Sequence, residues 1–99
     1  MQKYGGVAML EVKKGIKSFY IGDSEENPVA IMTYVLSGED LIIVDHTYVS
    51  DELKGQGVAK LLLKELVDWA RKENKKIIPQ CSYVEAQMEK NEEYHDIRY

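Results

Sequence analysis

The chain has 99 residues, enough for one domain with a single core, and its 44% hydrophobic and 30% charged residues are typical of a globular protein. The formal net charge of -4 argues against nucleic acid as the main partner and is compatible with a basic partner such as an amine. No apolar run approaches the length of a membrane span, and residues 1–8 lack the apolar segment of a secretory signal. We therefore expect no membrane association and a cytoplasmic location. The lone Cys81 forms neither an internal disulfide nor a zinc site by itself, so no metal site is expected.

The first half of the chain predicts four strands in a meander. Residues 9–20 form a hairpin with its turn at or near residues 14–15, and a polar loop at 23–28 separates it from a third strand at 29–36. The fourth strand, Leu41–Val49, is apolar on both faces at its beginning. This pattern predicts a central strand that is covered on both sides.

The second half predicts a βαβ unit followed by a short helix. Apolar residues recur at helical spacing from position 59 to position 70, which predicts a helix of about four turns that begins near Val58. Asn74 is expected to cap the end of this helix in the left-handed conformation. A fifth strand at 77–81 then lies parallel to the fourth, because the helix provides a right-handed crossover. Residues 84–90 predict a short helix, and 91–99 a polar tail or final turn.

Pro79 lies within the expected fifth strand and has no N–H to donate to a neighbouring strand. Two interpretations stay open. The fourth and fifth strands part near Pro79 and leave a V-shaped opening, or the fifth strand is simply an edge strand.

A glycine-rich turn, Lys-Gly-Gln-Gly-Val-Ala at residues 54–59, connects the fourth strand to the helix. Such a turn leaves backbone N–H groups free at a helix start, where they and the helix dipole favour a phosphate or pyrophosphate group. Lys60 stands where a dinucleotide-binding fingerprint needs a third glycine, and the P-loop sequence is absent. The alternative is that the glycines only permit a tight connection.

The order of these segments resembles the acetyl-CoA-binding core of the GNAT N-acetyltransferase superfamily. Its signature is Gln or Arg, two residues, Gly, one residue, then Gly or Ala. Lys54, Gly57 and Ala59 occupy these positions, although Lys keeps only the charge of Arg and loses its planar fork. His-Thr-Tyr-Val at 46–49 and Cys-Ser-Tyr at 81–83 are similar to the minimal, single-domain YjdJ-type branch of that superfamily.

The resemblance implies an α+β fold with a mixed sheet of about five strands and two main helices. Most strands are expected to be antiparallel, with the fourth and fifth parallel and splayed, in a single domain over residues 1–99 with its core at about 9–94. The implied activity is acetyl-CoA-dependent transfer of acetyl to a primary amine, on a polypeptide or a polyamine. The alternatives are a non-catalytic acyl-CoA-binding or protein-interaction module and a small α+β protein whose glycine turn binds nothing. A monomer or weak homodimer is expected.

The resemblance also implies the residues that bind the cofactor. The backbone around Tyr48 and Val49 would pair with the pantetheine arm, and Lys54 would add positive charge. The pyrophosphate would be held by the backbone amides of the glycine turn and the helix start, namely Gly55, Gln56, Gly57, Val58, Ala59 and Lys60.

Two residues are candidates for catalysis. The resemblance places Cys81 on the fifth strand near the thioester, where it would accept the acetyl group or donate a proton, and the alternative is a buried, inert cysteine. His46 is expected to act as a base or as a partner of Cys81, or else to be structural. Strand alternation predicts that Asp45 points to the face opposite His46.

The acceptor site is expected to be open, because the chain lacks the helices that follow the first strand in larger relatives. The tyrosine that protonates the leaving thiolate in many of those enzymes corresponds to a position near Met88. Tyr83 and Tyr94 either border the acceptor site or pack against the last helix.

Overall fold

A computed structural model describes residues 10–99 as one five-stranded mixed sheet with two helices. Every neighbouring pair of strands is antiparallel except the last pair, which is parallel, and the strands follow one another across the sheet in chain order. This confirms the expected fold class. The elements are β1 Lys13–Lys14, β2 Ser18–Ser24, β3 Asn27–Leu36, β4 Leu41–Val49, α1 Val58–Lys72, β5 Lys76–Pro79 and α2 Ser82–Lys90.

One face of the sheet forms the core together with both helices. Alternate residues of the strands are buried there, because successive side chains of a strand point to opposite faces. On β4, Ile42 and Val44 are fully buried, whereas Leu41 and Ile43 on the other face are only half-buried. The expectation of a central strand covered on both sides was therefore wrong. The buried apolar residues of the two helices all belong to the same core cluster: Val58, Leu62, Leu63, Leu66, Val67, Ala70, Val84 and Met88.

The boundaries of α1 agree with the helical pattern of the sequence. Asn74 has a φ of 58° beyond the last turn, as expected for a left-handed cap. The N–H of Lys75 donates to the carbonyl of Ala70 at 2.8 Å, and the N–H of Asn74 donates to that of Arg71 at 3.2 Å. These two carbonyl groups at the end of α1 thus have hydrogen-bond donors. Within residues 10–99, no helix is both long enough and apolar enough to cross a membrane.

The first hairpin is confirmed, with residues 15–17 connecting β1 to β2, although its expected first residue, Met9, lies outside the described residues. The polar loop expected at 23–28 is shorter than predicted, because β2 and β3 extend into it from both sides.

The C-terminal segment was expected to be a polar tail or final turn, yet it joins the core and the sheet. Ile97 is only 2% exposed and packs in the core, beyond the expected core boundary at residue 94. The N–H of Ile77 donates to the carbonyl of Ile97, and the N–H of Tyr99 donates to that of Ile77, both at 2.8 Å. The outer side of β5 is therefore paired as well.

A carboxylate connects the two hairpins at the start of the sheet. Glu25 accepts hydrogen bonds from the N–H of Ile16 at 3.1 Å, the N–H of Lys17 at 3.0 Å and the hydroxyl of Ser18 at 2.5 Å. The Ser18 hydroxyl, followed by the Lys17 N–H, lowers the pKa of Glu25 below its ordinary value of 4.5. The charged form of this side chain is thus the one that stabilises the fold.

We expect Glu25→Gln to lower the free energy of unfolding by about 1 kcal/mol near neutral pH, because a neutral amide accepts these hydrogen bonds more weakly than a carboxylate does. The effect is modest because the site is solvated. A lowered folded-state pKa stabilises the protein above the unfolded value, and this contribution is lost as the pH falls through the folded value. The deficit should therefore shrink in acid. Urea unfolding of wild type and variant at about pH 7 and about pH 3 measures it, with the exposed neighbour Glu26→Gln as the control. An equal deficit at both pH values would contradict the role of the charge.

Candidate functional site

The strands β4 and β5 part after a short paired stretch. Their last paired residues are Val44 and Pro79, whereas β4 continues to Val49. The carbonyl of Val44 accepts hydrogen bonds from both Gln80 N–H at 3.0 Å and Cys81 N–H at 2.9 Å. The chain then turns into α2, so the predicted V-shaped opening is confirmed.

The missing N–H of Pro79 is not what separates the strands. The N–H of Ile77 points away from β4, to Ile97, whereas those of Lys76 and Gln80 point toward β4, to Asp40 and Val44. Because these directions alternate along a strand, the nitrogen of Pro79 also faces away from β4. The opening forms instead where the chain leaves β5 to begin α2.

The opening forms a cleft with a volume of about 800 Å³. It runs from the glycine turn, past the free edge of β4, to the start of α2. Tyr48 and Gln56 do not line it. The Tyr48 side chain is 46% exposed, and the Gln56 amide donates to the carbonyl of Glu52 at 3.1 Å. The other predicted site residues do line the cleft, namely His46, Val49, Lys54, Gly55, Gly57, Val58, Ala59, Lys60 and Cys81.

The glycine turn is anchored at both ends and open in the middle. Leu53 before it and Val58 after it are buried in the core. Gly55 and Gly57 have φ values of 81° and 78°, which favour glycine, and a Cβ on either would meet nothing within 4 Å. Space is therefore free directly above the backbone.

The amides of residues 55–60 have no hydrogen-bond partner within the described chain. The first hydrogen bond of α1 is donated by Leu61 to Gly57, at 3.1 Å. These free donors lie at the positive end of a helix, which is the arrangement that binds phosphate groups.

The lysines near the turn differ in their ionic partners. Lys54 pairs with Asp51 at 3.0 Å, and Lys64 pairs with Asp68 at 2.9 Å along the exposed face of α1. Lys60 is exposed and has no ion pair among residues 10–99. Lys60 is thus the cation at the turn that is available to an anionic ligand.

The sequence predicted that Cys81 lies on the fifth strand. This was wrong, because β5 ends at Pro79. Cys81 is the residue that precedes the first turn of α2, and its side chain is half-buried. Its sulfur lies 3.3 Å from the hydroxyl oxygen of Thr47. Sequence reasoning missed Thr47 as a contact of the cysteine, although the His-Thr pair had been singled out.

His46 and Thr47 lie on opposite faces of the sheet. Thr47 is paired with the buried Met32 and so lies on the helix side, whereas His46 is paired with Thr33 on the outer face. No hydrogen bond between His46 and Cys81 occurs in the part of the chain that the structure describes. Both side chains nevertheless line the same cleft.

A β-bulge interrupts β4 at Asp45. Tyr34 is paired with Val44 and Thr33 with His46, so Asp45 is an extra residue. The Thr33 hydroxyl donates a hydrogen bond to the Asp45 carboxylate at 2.6 Å. Because Thr33 is also the residue paired with His46, this bond holds the carboxylate on the same face as His46. The prediction that Asp45 and His46 point to opposite faces was therefore wrong, because the bulge breaks strict alternation.

The aromatic residues near the cleft are largely packed. Tyr83 lines the cleft beside Cys81 and packs against the core, and burial raises its pKa above the ordinary value of 10.0. Burial also raises the pKa of the half-buried Tyr94. Met88, where larger relatives were expected to have an acid, is completely buried.

A comparison with known protein families decides the classification. The model of the family described as GCN5-related N-acetyl-transferase matches residues 18–97. The chain belongs to this family. Mouse Protein NATD1 is 26% identical over 87 residues, which make up 88% of this chain and 79% of the mouse protein. Human Protein NATD1 is 31% identical over 62 residues, 63% of this chain and 55% of the human protein.

A solved structure supports the same family. The solution structure of a GCN5-like candidate N-acetyltransferase from Staphylococcus aureus superposes with a TM-score of 0.77 at 49% sequence identity. The superposition covers 91% of this chain and 88% of that protein. The expected membership in the GNAT superfamily is thereby confirmed.

The geometry of the turn predicts the cost of a side chain at Gly57. Gly57→Ala should lower the free energy of unfolding by about 1 kcal/mol, because only its left-handed φ is penalised and no clash arises. Gly38, in the turn before β4, has a φ of 82° and equally open surroundings. Gly38→Ala is therefore a matched control, and urea unfolding without ligand should give the same loss for both. A much larger loss for Gly57→Ala would contradict the free space above the backbone of the glycine turn.

Proposed function

We propose that this protein transfers an acetyl group from acetyl-CoA to a primary amine. The observation that carries the proposal is the row of unpaired amides at residues 55–60 beside the split between β4 and β5. An elongated ligand with a pyrophosphate group and amide groups fits both features. Membership in the GCN5-related family supports the same chemistry.

The chain offers a distinct contact for each part of such a cofactor. The amides from Gly55 to Lys60 would hold the pyrophosphate, helped by the charges of Lys60 and Lys54. Among residues 10–99, the edge of β4 from Asp45 to Val49 has no strand partner on the β5 side, so the backbone around Tyr48 and Val49 would pair with the amides of the pantetheine arm. In this way β4 would gain a substitute for the strand that it lacks.

Acetyl-CoA, when bound, supplies an acetyl group activated as a thioester. The Cys81 sulfur and the Thr47 hydroxyl face each other beside the free edge of β4, at the cleft. Two roles of Cys81 are open. As a nucleophile it takes the acetyl group with loss of its proton to the departing thiolate, and then passes the acetyl to the amine. As an acid it gives its proton to that thiolate while the amine attacks directly.

His46 on the outer face would accept the proton that the amine loses. Since Thr47 and the glycine turn lie on the helix side, cofactor and acceptor would approach the split from opposite faces of the sheet. That separation explains why His46 need not contact Cys81.

Among residues 10–99, no helix covers the sheet face that the acceptor would meet. Ile31, Ile43 and Thr33 on this outer face are only half-buried. Such an open surface suits an amine on a polypeptide or a polyamine better than a small metabolite that needs enclosure. Turnover of a small monoamine with no acetylation of peptides would reverse this assignment.

A non-catalytic acyl-CoA-binding module is the second candidate. The observation in its favour is that Met88, whose side chain has no proton to donate, lies near the position where many larger relatives have an acid. Both candidates bind CoA, so they differ only in turnover.

Calorimetric titration tests cofactor binding. We expect acetyl-CoA to bind, with ATP and a nicotinamide dinucleotide much weaker. Gly57→Ala should weaken binding about tenfold, because it shifts amides that donate to a charged group. Gly38→Ala, of matched stability, should bind like wild type. The absence of heat with acetyl-CoA would overturn both candidate functions.

Release of free CoA thiol with an amine acceptor tests catalysis. Cys81→Ala should lower the rate about 100-fold if the sulfur takes part. His46→Gln should lower it chiefly below the pKa of the acceptor amine, where the amine is protonated and a base is needed most. Mixing wild type with acetyl-CoA alone then separates the roles. A mass increase of one acetyl group that Cys81→Ala abolishes identifies a nucleophile. Wild type and Cys81→Ala that bind CoA and are equally inert would instead support the module.

A further inference from the structure

The two ends of the cleft differ in charge. The glycine turn presents free amides and Lys60, which attract anions. Asp45 lines the opposite side of the split, on the outer face of the sheet, together with His46. It is exposed and has no ion pair within residues 10–99.

The Asp45 carboxylate is held in place by the fold. Asp45 is the extra residue of the bulge in β4, and the half-buried Thr33 donates a hydrogen bond to its Oδ1 atom at 2.6 Å. One oxygen is therefore fixed by the neighbouring strand. The other has no protein donor in the described part of the chain and is free to accept from a ligand.

We propose that Asp45 selects acceptors that carry a second positive charge close to the reactive amine. This inference rests on the proposed acetyl transfer. An amine must be uncharged to attack a thioester, so the carboxylate does not pair with the reacting nitrogen itself. It pairs with a neighbouring ammonium that stays protonated. A polyamine and a peptide with adjacent lysines share this chemistry, and the acidic net charge of the chain favours the approach of either.

Steady-state kinetics at saturating acetyl-CoA test the proposal with three acceptors. Putrescine and an end-blocked Lys-Lys peptide each carry a second cation, and n-butylamine does not. For Asp45→Asn we expect the KM of both dications to rise about fivefold, the size of one exposed ion pair, with kcat and the KM of butylamine unchanged. The asparagine keeps the oxygen that Thr33 binds, so the bulge is preserved. A rise for only one dication identifies it as the source that the site accepts.

Two further variants sharpen the result. Thr33→Val keeps the carboxylate but frees it, so the KM of the dications should rise by less than in Asp45→Asn. Glu52→Gln removes one exposed negative charge outside the cleft and should leave every KM unchanged. An equal rise in Glu52→Gln, or no change in Asp45→Asn, would overturn the proposal.

A binding measurement keeps this test separate from that of the acetyl transfer. Putrescine added to ¹⁵N-labelled protein should shift the amide signals of Thr33, Asp45 and His46, and Asp45→Asn should abolish these shifts. If acetyl-CoA fails to bind, the proposed function falls, and the titration still decides whether Asp45 holds a dication. If turnover is normal while Asp45→Asn binds and acetylates dications like wild type, only the Asp45 assignment falls.

Discussion

The candidate site depends on one carbonyl group. Val44 is the last residue of β4 that is paired with β5, and its oxygen accepts the N–H groups of both Gln80 and Cys81. This double hydrogen bond ends the parallel ladder and starts the turn into α2. It fixes the cysteine backbone against the centre of the sheet, while the edge of β4 beyond Val44 is left free. Without that break, the space between the two strands would be filled by ladder hydrogen bonds.

The residues that follow Val44 serve both faces of the sheet. The bulge at Asp45 places this carboxylate and His46 on the outer face, while Thr47 lies on the helix side and contacts Cys81. A short stretch of one strand thus faces the expected cofactor side and the expected acceptor side together. The separation is electrostatic as well as geometric, since free amides and Lys60 lie at one end of the cleft and Asp45 at the other.

The small size of the domain explains why its outer face is open. Both helices contribute their apolar sides to a single core on one face of the sheet, and the C-terminal residues complete that core through Ile97. On the other face, apolar residues such as Ile31 and Ile43 are half-buried and His46 is exposed. A larger acceptor would therefore reach the split without the displacement of any helix described here.

Local patterns in the sequence were sufficient for the elements and for the cofactor turn. The apolar spacing of α1, the left-handed Asn74 and the glycines of the turn depend on residues that are close in sequence, and the parallel order of β4 and β5 follows from the length of the crossover. The tertiary structure alone decided the details of the chemistry. Thr47 and Cys81 are 34 positions apart, and only the bulge brings His46 to the outer face and Thr47 to the helix side. The end of β5 and the burial of Ile97 depend equally on partners in other elements. Register between distant segments sets each of these contacts, and no local periodicity encodes it.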